Sequence, residues 1–401
     1  MKNFKSEFNW KEFLFFTGFI FYLGRGVWGT TMFPFPNILS KLCFALAILF
    51  ICLKILLFDS YPFYLLIFAG IMGLDSVLSL YYSHYLNILF WVLLILGAKD
   101  ISFKKIVQVY LLIEISIVGL AIISSLAGVI LNLKYVTSTR SIRQSFGIVY
   151  TTDFASHIFY IILTLFYFCG QKLKCYHYLA VLLISGLIYH FCNTRLDCIS
   201  MVLIVLLFGI GNFITKSKRI PVNTSLVWDK IWKWIAPWIV PAFAMFSFAV
   251  TLAYKKDSDF WTKLNKIVSN RLNLGLQGIQ EYGYTLWGQT IDMKGAGSST
   301  IELKDYFFID CSYILVCLRY GLVAFLLLLI VFSAICIKNR NDLYFLYAIT
   351  LLAINCVIAH HILELEYHPF ALALLSQSLR PKDDSLFHIK QRFSVNPLPD
   401  S

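Results

Sequence analysis

Polar residues along this chain gather in short groups, and apolar stretches of about 18 or more residues recur between them from end to end. The stretches have no strict alternation. They are too long for strands and long enough to cross a bilayer as helices. In lipid the backbone must satisfy its own hydrogen bonds, so such runs are helical. The pattern predicts about twelve spans: 12–29, 36–57, 60–81, 85–98, 103–131, 151–169, 175–191, 196–215, 231–253, 311–336, 341–360 and 364–379. In the third and fourth, "IMGLDSVLSLYYSHY" carries Asp75 and Gly73, which suggests a broken or re-entrant segment. The expected fold is therefore all-α: a polytopic transmembrane bundle forming one integral-membrane unit over 1–401. The long stretch 254–310, between the ninth and tenth spans, is expected to be extracytoplasmic.

Composition sharpens this picture. Of 401 residues, 59% are hydrophobic and 14% charged, against about 45–50% and about 25% in soluble domains. The net charge of +12 sits mainly between spans. No basic stripe with interleaved aromatics points to nucleic acid. Alternate loops ("KDISFKK", "GQKLK", "KSKR", "IKNRND", "LRPKDD") are short and basic, as cytoplasmic loops are. That places both termini in the cytoplasm and the protein in the cytoplasmic membrane. The first apolar run leads into "GRGVWGT" and then further spans, so a cleaved signal peptide is not expected. Ten cysteines show neither CxxC nor zinc spacing. No P-loop is present, which argues against an ATP-driven pump.

Two outer loops are substantial. Residues 132–150 hold Arg140 and Arg143, which would share a face if that segment were helical. Within 254–310, "DFWTKLNKIVSNRLNLGLQGIQEYG" places Phe260, Leu264, Ile267, Val268 and Leu272 at helical spacing. That suits an amphipathic helix in the interface. "MKGAGSST" (293–300) reads as a mobile tip.

The outward arginines carry the most information, because basic residues otherwise favour the cytoplasmic side. They are Arg140, Arg143, Arg195 and Arg271. Arg195 and Asp197 occupy the turn "HFCNTRLDCIS" between two apolar runs. An arginine at mid-bilayer costs about 2.5–3.5 kcal/mol, and less near the interface. Snorkelling to headgroups, or pairing with Asp197, explains Arg195 as well as an anion site does. Guanidinium forks match phosphate oxygens two at a time and stay charged when partly desolvated. Acid–base candidates on that side are Asp153 with His157, Asp292, Asp305, Asp310, and the group His360, His361, Glu364, Glu366 and His368. The spacing by four of His360, Glu364 and His368 invites a metal, but Pro369 disfavours a continuing helix there, and a polar cluster lining an outward cavity is the preferred reading.

At these residues the chain resembles the Wzy-type polysaccharide polymerases of O-antigen and capsule pathways. The resemblance lies in "RQSFG" followed by "TTDFASH", in "NTRLD", in "VSNRLNLG…EYGYTLWG" followed by "IDCSYILVCLRYG", and in "HHILELEYHPFALAL". It covers most of the chain. It implies an inverting, metal-independent glycosyltransferase, without cofactor, that joins undecaprenyl-pyrophosphate-linked repeat units at the outer face of the membrane. Donor and acceptor would both be lipid-linked glycans, and a chain-length regulator and a flippase would be candidate partners. Carried over to this sequence, Arg143 and Arg195 would bind pyrophosphate, with Arg140 nearby. Arg271 would bind phosphate or sugar. Asp310, His360 or His361 would be the base. Tyr282 would stack on a sugar, although an interfacial aromatic anchor has the same appearance. Two alternatives stand: an O-antigen ligase-like transferase with the same donor, and a lipid-linked glycan flippase or transporter.

Overall fold

A computed structural model describes residues 9–137, 140–216, 221–295, 297 and 305–380. Helices dominate. They are α1 (Trp10–Gly29), α2 (Asn37–Phe58), α3 (Phe63–Ser83), α4 (Asn87–Gly97), α5 (Phe103–Leu126), α6 (Thr151–Cys169), α7 (Cys175–Cys192), α8 (Arg195–Lys216), α9 (Val222–Ile235), α10 (Ile239–Leu252), α11 (Asp259–Ile267), α12 (Arg271–Tyr282), α13 (Ser312–Arg319), α14 (Gly321–Lys338) and α15 (Leu343–Asn355). Strands β1 (Lys134–Thr137) and β2 (Arg140–Gln144) form one antiparallel hairpin.

Among the described residues, eight segments are long and apolar enough to cross a membrane. This is a helical membrane protein. The α6 segment is the axis of the bundle: 72% of its most apolar window is buried, against 17–39% for the other seven. Helix ends carry local signals where polar residues are available. The Asn9 side chain accepts from Glu12 N before α1, and Asp342 accepts from Phe345 N before α15.

Several elements differ from the apolar pattern. Helix α3 runs unbroken through Gly73 and Asp75, and the interruption falls at residues 84–86. The stretch 231–253 is two helices, α9 and α10, joined by a 3-10 turn at Ala236–Trp238 that contains Pro237. The stretch 311–336 is broken at Tyr320, with Gly321 at φ 97°. The Arg140–Arg143 region is a strand rather than a helix. Positions three apart in a strand fall on opposite faces. The side chain of Arg140 lies outside the described residues.

The largest difference is the segment 356–380, where residues 364–379 contain no α-helix. It has 3-10 turns at His361–Leu363 and Phe370–Leu374 and is otherwise irregular. Its side chains are core: Ile362, Leu363, Leu365, Tyr367, Phe370 and Leu372 are all buried. At one end His360 packs on Phe308. At the other, Gln377 N donates to Ile101 O at 2.8 Å and Phe103 N to Gln377 O at 2.9 Å. Lys338 Nζ donates to the Ala373 and Leu374 carbonyls, both at 2.9 Å. Irregular backbone survives inside a membrane protein when other protein, not lipid, surrounds it. Hydropathy alone cannot tell such a strap from a helix.

Candidate active site

The site lies where α6, α8, α12, α13 and the start of the strap converge. A small, partly open cavity of about 20 Å³ is lined by Thr152, Asp153, Ser156, Leu196, Asp197, Arg271, Asp310, Ile358, Ala359, His360 and His361.

Arg271 is placed by a chain of amide bonds. Helix α11 ends at Ile267, and Ser269 and Asn270 take left-handed conformations (φ 56° and 69°) that turn the chain into α12. Asparagine tolerates this region better than most residues. From α11, the Asn265 side-chain oxygen Oδ1 accepts from Leu272 N (3.1 Å) and Asn273 N (3.2 Å), capping α12 from outside. Arg271 is the first residue of that helix. Its Nε donates to Ile358 O at 2.7 Å and lies 3.3 Å from Asp310 Oδ2, and Nη1 donates to Val268 O at 3.2 Å. One guanidinium therefore joins the long loop, the approach to α13 and the strap.

Asp310 stands two residues before α13. Burial pushes its carboxyl above the usual range, and the Arg271 charge opposes that rise. His360 and His361 sit on the strap. Burial lowers His360 to about 3 and His361 well below its ordinary value, so both rings are neutral at physiological pH. His361 Nδ1 is 2.6 Å from Glu364 Oε2, and its ring stacks on Tyr367 at 3.6 Å. A carboxylate on Nδ1 fixes the tautomer and leaves Nε2 as the basic nitrogen. Burial raises the Glu364 carboxyl. Asp153 is on the same face of α6 as His157, one turn deeper. His157 pairs with Glu114 at 3.2 Å and also stacks on Tyr367 (4.4 Å).

The expected residues divide into two sets. Arg271, Asp310, His360 and His361 line one cavity. Arg143 is buried nearby, but its Nε is used on Cys192 O (2.9 Å), and its guanidinium lies 5.5 Å from the Tyr150 ring. It ties the hairpin to the turn that starts α8. Arg195, the first residue of α8, is exposed, while its neighbours Leu196 and Asp197 line the cavity. Tyr282 is outside the cavity, stacked on Phe307 at 6.1 Å, and its hydroxyl accepts from Asp292 N. Of the expected mobile tip, 296 and 298–300 lie outside the described residues. The expected amphipathic helix is α11 alone, with Phe260 and Ile267 exposed, and α12 turns away from it to present Arg271.

Sequence reasoning named Asp153, with His157, among the acid–base candidates, and Asp197 only as a partner of Arg195. Their positions at the first turns of α6 and α8, opposite the large loop, were the available signal. His360, His361 and Glu364 hold three ligand atoms within 4.8 Å of one another, the one such group among the described residues. The close His361–Glu364 hydrogen bond already joins two of the three. His368, expected at the same spacing, is instead buried in the core, with neither ring nitrogen partnered. Compared with family models, curated proteins and solved structures, the chain matches none.

Proposed function

We propose that this protein is a glycosyltransferase that joins repeat units carried on undecaprenyl pyrophosphate, working at the outer end of a bundle of about twelve passes with both termini in the cytoplasm. The observation that carries the reading is the small cavity in which a guanidinium, carboxylates and two neutral imidazoles meet at one end of a membrane bundle. Such a site suits a donor that is already activated. The acceptor hydroxyl attacks the anomeric carbon of the donor sugar. The bond from that carbon to the diphosphate oxygen breaks, and its electron pair leaves on the diphosphate. The hydroxyl proton passes to a base, and the configuration inverts.

Arg271 is placed to answer the charge that grows on the diphosphate, the effect that usually contributes most to such catalysis. Asp310 is the first choice for base. It is a carboxylate held by Arg271 at the cavity wall, and its raised affinity for a proton brings it nearer the working pH. His361, oriented by Glu364, is the second. Arg143 holds the α7–α8 turn, and Arg195 meets headgroups at the rim. A second reading, lipid-linked glycan transport, draws on the buried Glu114–His157 pair, because ionisable groups inside a bundle often mark a pathway.

The test is purified protein in proteoliposomes with a synthetic undecaprenyl-pyrophosphate repeat unit. A ladder of products is expected. A ligase-like enzyme gives a ladder only when a different acceptor is supplied. Translocation of the unit without any new glycosidic bond favours the transporter and removes the polymerase.

A further inference from the structure

Arg319 closes α13 at the break before α14, where the long loop packs against it. The contact is very close. A Cβ on Gly288 (φ 88°) would lie 2.2 Å from Arg319 O, and one on Gly321 would lie 2.3 Å from Leu286 O. Both positions need glycine for space as well as for backbone angle. Leu322 N donates to Thr285 O (2.9 Å) and Val323 N to Leu286 O (3.2 Å). Loop carbonyls thus occupy the first amides of α14, which are not free to hold an anion.

The side chain of Arg319 is the unanswered group. Only 9% of the residue is exposed. Its Cζ stands 3.9 Å over the Tyr85 ring, in the α3–α4 turn. Its Nε has no hydrogen-bond partner, and neither does Thr285 Oγ1 in the same junction. The neighbouring Tyr320 hydroxyl lies within reach of its guanidinium. Among the described residues, no carboxylate lies within 4 Å of the guanidinium; Glu364 and His360 feel its charge from farther away. A buried, always-charged group with five donors and no counter-charge is costly unless an anion completes it. Arg319 is absent from the cavity wall that Arg271 helps form, yet both arginines act on His360.

We propose that Arg319, with Tyr85 against its face and Thr285 in the same junction, is a second anion subsite that takes the phosphate of a membrane-borne phosphate ester. The proposal rests on the transferase reading, in which two lipid-linked substrates each bring a diphosphate. Arg271 and Arg319 then approach the His360–Glu364 pair by separate routes. The phosphate can come from the polyprenyl carrier or from an ordinary anionic phospholipid.

The test uses the full chain in nanodiscs of neutral lipid, with bound lipids counted by native mass spectrometry as undecaprenyl pyrophosphate is added. Wild type is expected to hold two carriers, and R319Q and R271Q one each. The affinity of the lost site should fall about tenfold or more. R319K should keep part of it, because charge remains but the fork is gone. T285V and Y85L, which leave the charge in place, should each weaken the same site; they serve if R319Q melts early. If phosphatidylglycerol occupies the Arg319-dependent site in place of carrier, the subsite stands and its ligand is bulk lipid. R319Q binding two carriers as tightly as wild type overturns the subsite. If wild type holds two carriers but makes no glycosidic bond, the transferase reading fails and the subsite survives.

Discussion

Two polar clusters sit at opposite ends of this bundle. At the far end, Lys54 is fully buried and lies 2.6 Å from Asp59 while donating to Lys99 O. Lys11 reaches the other oxygen of Asp59 at 3.1 Å, and the Tyr61 hydroxyl donates to the first. Lys11 also meets Asp100, which Lys99 meets in turn. Each charge there is answered. At the site end the charges do not balance. Asp153 and Asp197 line a hollow with no ion pair among the described residues, and Arg271 serves Asp310 and two carbonyls. A satisfied network holds helices together. A network with acceptors facing empty space holds a place for something else.

The difference can be broken by mutation. The largest stability effect belongs to the far end. Lys54→Ala takes from buried Asp59 the nearer of its two cations, leaving Lys11 alone, and opens a hole in the core; it should cost about 3 kcal/mol, read as early melting in detergent. Asp153→Asn should do the reverse. Melting should change by less than about 1 kcal/mol, or improve, because sites under functional constraint are seldom at their stability optimum, while transfer in proteoliposomes falls. Equal loss of stability at both positions erases the distinction.

A smaller effect concerns pH and rate. If Asp310 is the base it must be charged, so transfer should rise with pH through its raised value. Arg271 favours the charged form, and Arg271→Gln should move that limb to higher pH, measured on the residual rate. A fourth effect concerns pH and stability. His360 titrates at about 3 folded against 6.5 unfolded. Its contribution is whole above pH 6.5 and is lost as pH falls toward 3, since the unfolded chain takes up the proton first. His360→Gln should flatten the melting-temperature curve over that window. The smallest effect is expected of Arg195→Ala, within about twofold of wild type, because an exposed arginine contributes little.

Much of the bundle was legible in the sequence because long apolar runs leave lipid-spanning helices as the natural outcome. The breaks were not. The run through Tyr320 is apolar on both sides, and what interrupts it is a distant loop pressed against Gly321. The strap at 364–379 reads as a span because hydropathy records burial, not the neighbour that supplies it. Asp310, His360 and His361 were visible as polar residues at the edges of apolar runs, and the cavity gathers them. Arg271 was visible for the same reason. Arg195 was conspicuous for its position, but a helix start points successive side chains in different directions, and Asp197 is the one turned inward. Arg319 was hidden inside an apolar run, where only the fold shows that its charge lacks a partner.

The most direct measurement is the initial transfer rate of Arg271→Ala beside Arg195→Ala, each shown to be folded, in proteoliposomes with the synthetic repeat unit. A loss of about 10²–10³-fold is expected for Arg271→Ala, with Arg195→Ala close to wild type. Near-wild-type transfer by Arg271→Ala, with the loss falling on Arg195→Ala instead, contradicts a site centred on this cavity.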